Sequence, residues 1–344
     1  MVDTQRRLAP GIQHPFEIAG QKILPGERRD IKLKISEMYT ATPVYIPLSV
    51  VHGVRPGPRL VVTAAVHGNE LNGVEMVRQI RADVDPVRLR GTLLLVFIAN
   101  PIAFIMQSRD LPDGRDLNRV FPGTEKGSMA AQIAGDLFEK VILRADYGID
   151  LHTAAQGRTN LPHVRADLRM PSVRRLAHAF GCEIIFDMPG EKGMLRHAAT
   201  RAGVPMIVYE AGEPLKFQKN LVRQGVNGIK NVMGDLGVYE FPRTSPPFQF
   251  VVEDHHWVRA DKGGIFMLNV KPGDIIRRGE DIGVTTKPFG TEAVPLRAPY
   301  TGLVVGTSTL PMVIPGSAVC HLVKMGKRHK ALRKLLHRQQ VLFE

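Results

Sequence analysis

RLVVTAAVHGNELNGVEMVRQI, residues 59–80, begins as a near-continuous apolar run and ends as a helical stripe. Residues 59–66 read as a strand buried on both faces of a sheet, because alternation is lost when neither face meets water. Leu71, Val74, Val77 and Ile80 then recur at helical spacing. His67, Gly68, Asn69 and Glu70 stand at the turn between them. A histidine and a glutamate three positions apart can aim at one point, and imidazole nitrogen and carboxylate oxygen are both zinc ligands. Alternatively, they are polar residues at a helix start, with Glu70 complementing the helix dipole.

Working outward, GTLLLVFIANP (91–101) is a second buried strand stopped by proline, and MAAQIAGDLFEKVIL (129–143) a helix. YGIDLHTA (147–154) is a strand with a polar end, SVRRLAHAFG (172–181) a helix closed by glycine, and CEIIFDM (182–188) and VPMIVYEAGE (204–213) are strands. With further strands expected at about 30–52, this alternation predicts an α/β sheet flanked by helices, with polar chemistry at the strand ends. FPRTSPPFQF (241–250) carries three prolines and marks a linker. Beyond it, short β-rich runs between glycines and prolines predict an all-β unit. The expected division is residues 1–241, 242–326 and a basic tail, 327–344.

The chain has 344 residues, 44% of them hydrophobic, and a net charge of +13. It has no apolar run of membrane-spanning length, and its first residues lack the apolar core of a signal peptide, so a cytoplasmic protein is expected. Cys182 and Cys320, without CxxC spacing, read as reduced, buried fillers. Much of the positive charge lies in KMGKRHKALRKLLHRQQ (324–340), where Leu332, Leu335 and Leu336 suit a short amphipathic surface helix. A membrane- or RNA-binding tail is the alternative; with no RNA-binding motif beside it, neither nucleic acid nor membrane is expected as a partner.

A metal site needs a third ligand, and His152 in GIDLHTA ends an apolar strand 82 positions after Glu70 (152 − 70). A short pair plus one distant ligand is the usual catalytic zinc arrangement, which keeps a position open for water. Glu210 in IVYEAGE also ends a strand, where a carboxylate can accept a proton from an activated water. NPIAFIMQSRDLPDGRDLNRVFPG (100–123) reads as a long loop whose arginines can fork onto a carboxylate.

The order HGNE, NP(x)7RD(x)5DLNRVFPG, DLHT and EAGE resembles the succinylglutamate desuccinylase/aspartoacylase family, relatives of the zinc carboxypeptidases. The resemblance spans most of residues 50–325 and implies a zinc-carboxypeptidase-like mixed sheet flanked by helices. It also implies a C-terminal all-β domain of barrel-sandwich character, similar to biotinyl and lipoyl carriers. That unit lacks a lysine in an EMKM-type hairpin, so no covalent cofactor is implied. The family pattern implies one Zn2+ per chain on His67, Glu70 and His152, with Glu210 as base and Asp116 orienting His67. Arg109 would polarise the scissile carbonyl, with Arg115 as substitute because Asp110 and a PDG turn follow Arg109 here. Asn118 and Arg119 would hold a substrate carboxylate. The expected reaction is hydrolysis of the amide or ester bond of a small N-acylated amino acid or related carboxylate. A carboxypeptidase-type metallopeptidase and a non-catalytic binding protein using the basic tail are the alternatives, and a homo-oligomer is left open.

Overall fold

The structure, a computed structural model, describes Gly11, residues 13–38 and residues 40–325. The tail at 327–344, and the helix expected there, lie outside the described residues.

A hairpin of β1 (Phe16–Ile18) and β2 (Gln21–Ile23) precedes the antiparallel pair β3 (Glu27–Glu37) and β4 (Pro43–His52). Then come β5 (Arg55–Ala64), α1 (Asn72–Asp83), β6 (Arg90–Val96), α2 (Pro101–Ile105), α3 (Met129–Lys140) and β7 (Tyr147–His152). They are followed by β8 (Arg158–Ala166), α4 (Pro171–Phe180), β9 (Ile184–Asp187), α5 (Leu195–Arg201), β10 (Met206–Gly212) and α6 (Lys219–Asp235). The remainder is β-rich: β11 (Phe250–Val252), β12 (His255–Arg259), β13 (Gly264–Leu268), β14 (Ile275–Ile276) and β15 (Asp281–Thr286). It closes with β16 (Val294–Arg297), β17 (Gly302–Ser308), β18 (Met312–Val313) and β19 (Ala318–Lys324).

The main sheet runs β12-β19-β17-β8-β10-β7-β5-β6-β4-β3, with β9, β11 and β14 on side branches. Its centre, β10-β7-β5-β6, is parallel. Val62 and Ala64 of β5 pack into one core with Met76 and Val77 of α1, Leu176 of α4 and Ile229 of α6. Val61, one residue out of phase, enters the opposite core with Ile102 of α2, Ile133 of α3 and Leu195 of α5. Helices thus cover both faces, which is why β5 is continuously apolar. The parallel centre brings the C-terminal ends of β5, β7 and β10 side by side, so residues far apart in sequence meet there.

Two expectations need adjustment. The buried stripe of α1 is Asn72, Gly73, Met76, Val77 and Ile80, rotated from the predicted one; Leu71 precedes the helix and Val74 is only half-buried. Residues 100–123 are not all loop. The Asn100 side chain accepts from the Ala103 N–H (3.1 Å) and Pro101 opens α2. Strand β6 ends at Val96, short of the expected proline stop, and Pro101 instead serves as a residue pre-set for a helix's first turn.

The sheet forks at β8. Residues 158–160 pair with β17 and residues 164–166 with β9. Pro162, without an N–H to give a ladder, falls in the gap between the two pairings. Strands beyond residue 241 therefore divide: β11, β12, β14, β17 and β19 join the large sheet, while β16-β15-β13-β18 form a separate antiparallel sheet. Val258, Phe266, Ile282, Val304 and Leu322 fill the core between them, which gives this part its sandwich character. The hydrogen bonds of β8–β17 and β9–β11 cross the expected boundary at residue 241. Cys182 and Cys320 are buried free thiols, and among the described residues no helix is long and apolar enough to cross a membrane.

Helix α6 lies close to α4 because of a glycine. A Cβ on Gly228 would fall 2.2 Å from the Phe180 ring, whereas one on the exposed Gly234 would meet nothing nearer than 3.9 Å. Gly228→Ala should therefore destabilise the protein by about 1–3 kcal/mol through overpacking. Gly234→Ala should be neutral or stabilising by up to about 1 kcal/mol through helix propensity. Denaturant midpoints of the two variants test this; equal shifts would contradict the packing read here.

Candidate active site

Strand β5 ends at Ala64 and the chain turns sharply through Ala65, held at φ +51°. A Cβ on Gly68 would lie 2.0 Å from the Ala103 backbone, so only glycine lets this turn pass beneath α2. The turn presents His67 and Glu70 inward, and His152 meets them from the end of β7. All three are buried, at 3%, 1% and 4% exposure. One ligand atom from each lies within 4.8 Å of the others.

Glu70 is shared. His67 Nδ1 lies 2.7 Å from its Oε1 and His152 Nδ1 2.8 Å from its Oε2, and the two Nδ1 atoms are 3.2 Å apart. The Thr153 backbone N–H also donates to Oε2 (3.0 Å). On the far side of each ring, Nε2 meets a carboxylate. His67 faces Asp116 Oδ1 at 3.1 Å and His152 faces Asp150 Oδ2 at 2.8 Å. Asp150 is itself held by the Thr63 hydroxyl (2.6 Å) and Asp116 by the Asn118 N–H (2.8 Å). A carboxylate behind each imidazole fixes ring orientation and turns the Nδ1 lone pair inward, as a metal requires.

The electrostatics agree. Burial opposes the charge on Glu70, but the His67 and His152 imidazoles outweigh it and hold the carboxyl well below the usual range. Burial likewise opposes charge on His152, yet Asp150 and Glu70 raise its pKa well above the ordinary value. For His67, burial is outweighed by Glu70 and Asp116, and its pKa is raised. The donor set is thus anionic around a point that demands positive charge. Two imidazole nitrogens and a carboxylate fit a divalent cation of the zinc type.

Glu210 stands on β10 directly opposite His152 of β7 and His163 of β8. Its Oε2 accepts from Asn160 Nδ2 (3.1 Å) and its Oε1 lies 3.3 Å from Arg165 Nη1. Arg109 reaches the donor set: Nη2 donates to Asp116 Oδ2 (2.8 Å) and Nη1 lies 3.4 Å from Glu70 Oε1. Arg115 pairs instead with its near neighbour Asp113 (2.8 Å) at the surface and is not among the residues lining the cavity. Asn118 lines the cavity while its Oδ1 accepts from the Leu195 N–H (2.8 Å), and Arg119 sits at the rim, 47% exposed. Glu213, beyond the end of β10, pairs with Lys216 at 2.7 Å.

His67, Glu70, His152, Arg109, Asn118, Arg119 and Glu210 therefore share one cavity of about 250 Å³. Sequence reasoning missed Asp150, although it lies two residues before His152 on one strand and so on the same face. It also missed Asn160, Arg158, Arg165, Arg196 and Trp257, which line the same cavity. Trp257 comes from β12 and carries the Arg158 guanidinium on its ring at 4.6 Å. Asn160, Arg158, Arg165 and Trp257 reach the site through long-range strand pairing and Arg196 from α5, which leaves no local pattern.

A mixed sheet covered by helices, with this donor set at the ends of its parallel strands, defines a zinc-carboxypeptidase-like architecture. The succinylglutamate desuccinylase/aspartoacylase catalytic domain matches residues 56–236, just over half of the chain, and the chain belongs to that family. It is 27% identical over 290 residues to the N-alpha-acetyl-L-2,4-diaminobutyric acid deacetylase of Halomonas elongata, covering 80% of each chain. Its fold is similar to that of a succinylglutamate desuccinylase/aspartoacylase from Rhodobacter sphaeroides (TM-score 0.76, 24% identity, 87% of this chain and 96% of that one). It is also similar to the product-bound ectoine utilization protein EutE (DoeB) of Ruegeria pomeroyi (TM-score 0.80, 22% identity, 88% and 98%).

Asp150 supplies a test of the donor set. In Asp150→Asn the amide N–H2 can face His152 Nε2, which favours a proton on Nδ1 and blocks it as a ligand. Zinc affinity should fall by about 10–100-fold. Titration of metal-free protein with zinc by calorimetry measures this, and an unchanged affinity would separate Asp150 from metal binding.

Proposed function

We propose that the protein is a zinc-dependent amidohydrolase that removes the acyl group from a small N-acylated amino acid or related carboxylate. The observation that carries this reading is the placement of Glu210, a carboxylate outside the donor set, in the same arginine-rich cavity as His67, Glu70 and His152. Two carboxylates with different partners suit two tasks. Glu70, shared by two imidazoles, suits ligation; Glu210, held by donors on β8, suits proton transfer. The cavity volume, just below the usual ligand-pocket range, favours a small molecule over a peptide. The family and the deacetylase relative support the same class of reaction.

When bound by His67, Glu70 and His152, zinc supplies the acidification of a water molecule and the polarisation of the acyl carbonyl. Glu210 takes the proton of the attacking water on a carboxylate oxygen and passes it to the leaving nitrogen. Arg109, between Asp116 and Glu70, donates toward the carbonyl oxygen and meets the negative charge that grows there. Asp116 and Asp150 hold the two imidazoles in register. Asn118 and Arg119 hold the substrate carboxylate at the rim, with Arg158, stacked on Trp257, as a further cation for it. An ester of the same shape would be cleaved by the same groups. Cytoplasmic residence keeps Cys182 and Cys320 reduced, and the strands beyond residue 241 act as a second domain that closes the cavity through Trp257.

The test is a hydrolysis screen of N-acetyl, N-succinyl and N-formyl amino acids with zinc supplied, reading amine release. Turnover of at least one of these classes is expected, and a chelator should abolish it. Glu210→Gln, which cannot accept the proton, should lower kcat by about 10²–10⁴-fold with zinc content unchanged. Near-normal turnover in that variant would move the base elsewhere, and turnover that survives zinc removal would overturn the metal reading.

A further inference from the structure

Glu210 is held by Arg165 of the neighbouring strand, and Arg165 is held in turn by His163. His163 lies directly opposite Glu210 across the β8–β10 ladder, and Arg165 follows two positions on, so both project from the same face of β8. His163 is fully buried. Its Nδ1–H donates to the Leu161 carbonyl of its own strand (2.8 Å), across the break made by Pro162. That bond fixes the tautomer and leaves Nε2 as a lone-pair acceptor. Arg165 Nε donates to this Nε2 at 3.1 Å, and Arg165 Nη1 reaches Glu210 Oε1 at 3.3 Å.

We propose that His163 and Arg165 form a positioning pair that aims Glu210 at its proton. The inference rests on the reading of Glu210 as the base. An arginine side chain has four flexible torsions, and pairing Arg165 with Glu210 alone would leave both free to swing together. The bond from Nε to a buried ring removes that freedom before substrate arrives. Asn160, also on β8, holds the other Glu210 oxygen (3.1 Å), so three side chains of one strand define where the carboxylate points.

The pair requires a neutral His163, because a protonated ring would present a second N–H to the guanidinium. The surroundings keep it neutral. Burial pushes its pKa well down, and the Arg165, His321 and His255 side chains add to that, against the opposing pull of the Leu161 carbonyl. Phe186 covers the ring at 4.7 Å. Behind Phe186 stand His255 of β12, edge-on at 4.9 Å, and His321 of β19, stacked at 5.7 Å. His321 in turn stacks on Trp257 at 4.8 Å. The C-terminal strands therefore seal the back of the positioning pair and, through Trp257, form part of the cavity wall.

The experiment compares His163→Phe, which keeps the ring's bulk but has no acceptor, with His163→Gln, which offers an amide oxygen. Kinetics use the zinc-loaded full chain and a substrate from the acyl screen. His163→Phe should lower kcat by about tenfold or more, since small misaim of a reacting group is costly. KM should stay within about twofold, because no contact to bound substrate is removed. His163→Gln should recover most of the lost kcat. In an Arg165→Gln background His163→Phe should add little, since the ring acts through the arginine. A wild-type kcat in His163→Phe, a loss confined to KM, or a full His163→Phe effect in the Arg165→Gln background would each overturn the proposal. If His163→Phe fails to fold, Arg165→Gln alone decides: unchanged kcat there overturns it. Glu210→Gln separates the two readings. If that variant is inactive while His163→Phe is not impaired, the positioning pair is wrong and the base stands. If Glu210→Gln is fully active, the base reading itself is wrong.

Discussion

Everything at the site depends on one buried carboxylate shared by two imidazoles. A charge taken out of water is expensive unless it is paired and fully hydrogen-bonded, and Glu70 is both. Its two oxygens are divided between His67 and His152, and the Thr153 N–H occupies one of them as well. This requires the turn after β5 to be tight and the end of β7 to lie beside it. It also requires the segment between β6 and α3 to fold back so that Asp116 and Arg109 close the other side. Removing either imidazole would leave a buried anion with one of its two imidazole partners missing, so the fold and the donor set support each other.

Much of this was legible in the residues themselves. The apolar runs at 59–66, 91–96 and 204–209 announce parallel strands because burial on both faces suppresses alternation. His67 and His152 stand out because each ends an apolar run, and Glu70 because it follows His67 by three positions in the same turn. What stayed hidden has physical causes. Strand β8, RTNLPHVRA, contains Pro162 and charged residues because it lies where the sheet forks and faces the cavity, so its pattern matches no ordinary strand. Helix α6 contains Gly225, Gly228 and Gly234, which lower helix propensity locally and, at Gly228, serve close packing that only the folded partner explains. Asp150 was readable from strand alternation, whereas Arg165 and Trp257 were not, since their positions follow from pairing between distant strands.

The C-terminal strands are more than an appendage in this arrangement. By extending the main sheet through β17 they place β12 and β19 behind β8, where His255, His321 and Trp257 meet cavity residues. One cavity therefore draws its donor set from the ends of β5 and β7, the Glu210 carboxylate from β10, its cations from β8, α5 and the 100–123 segment, and an aromatic wall from β12. The cations lining the cavity are arginines, whose planar fork matches a carboxylate better than lysine does. Burial with Arg165, His321 and His255 around it lowers the His163 pKa, whereas His67 and His152 outweigh burial and lower that of Glu70, so titratable groups of one site differ according to what encloses them.

The most direct measurement is a crystal structure of the zinc-loaded protein with an anomalous difference map at the zinc edge. The expected result is one peak per chain, about 2.0–2.2 Å from His67 Nδ1, a Glu70 oxygen and His152 Nδ1. Side chains ordered as described with no peak between them at saturating zinc, or a peak held by other residues, would contradict a zinc hydrolase centred on Glu70.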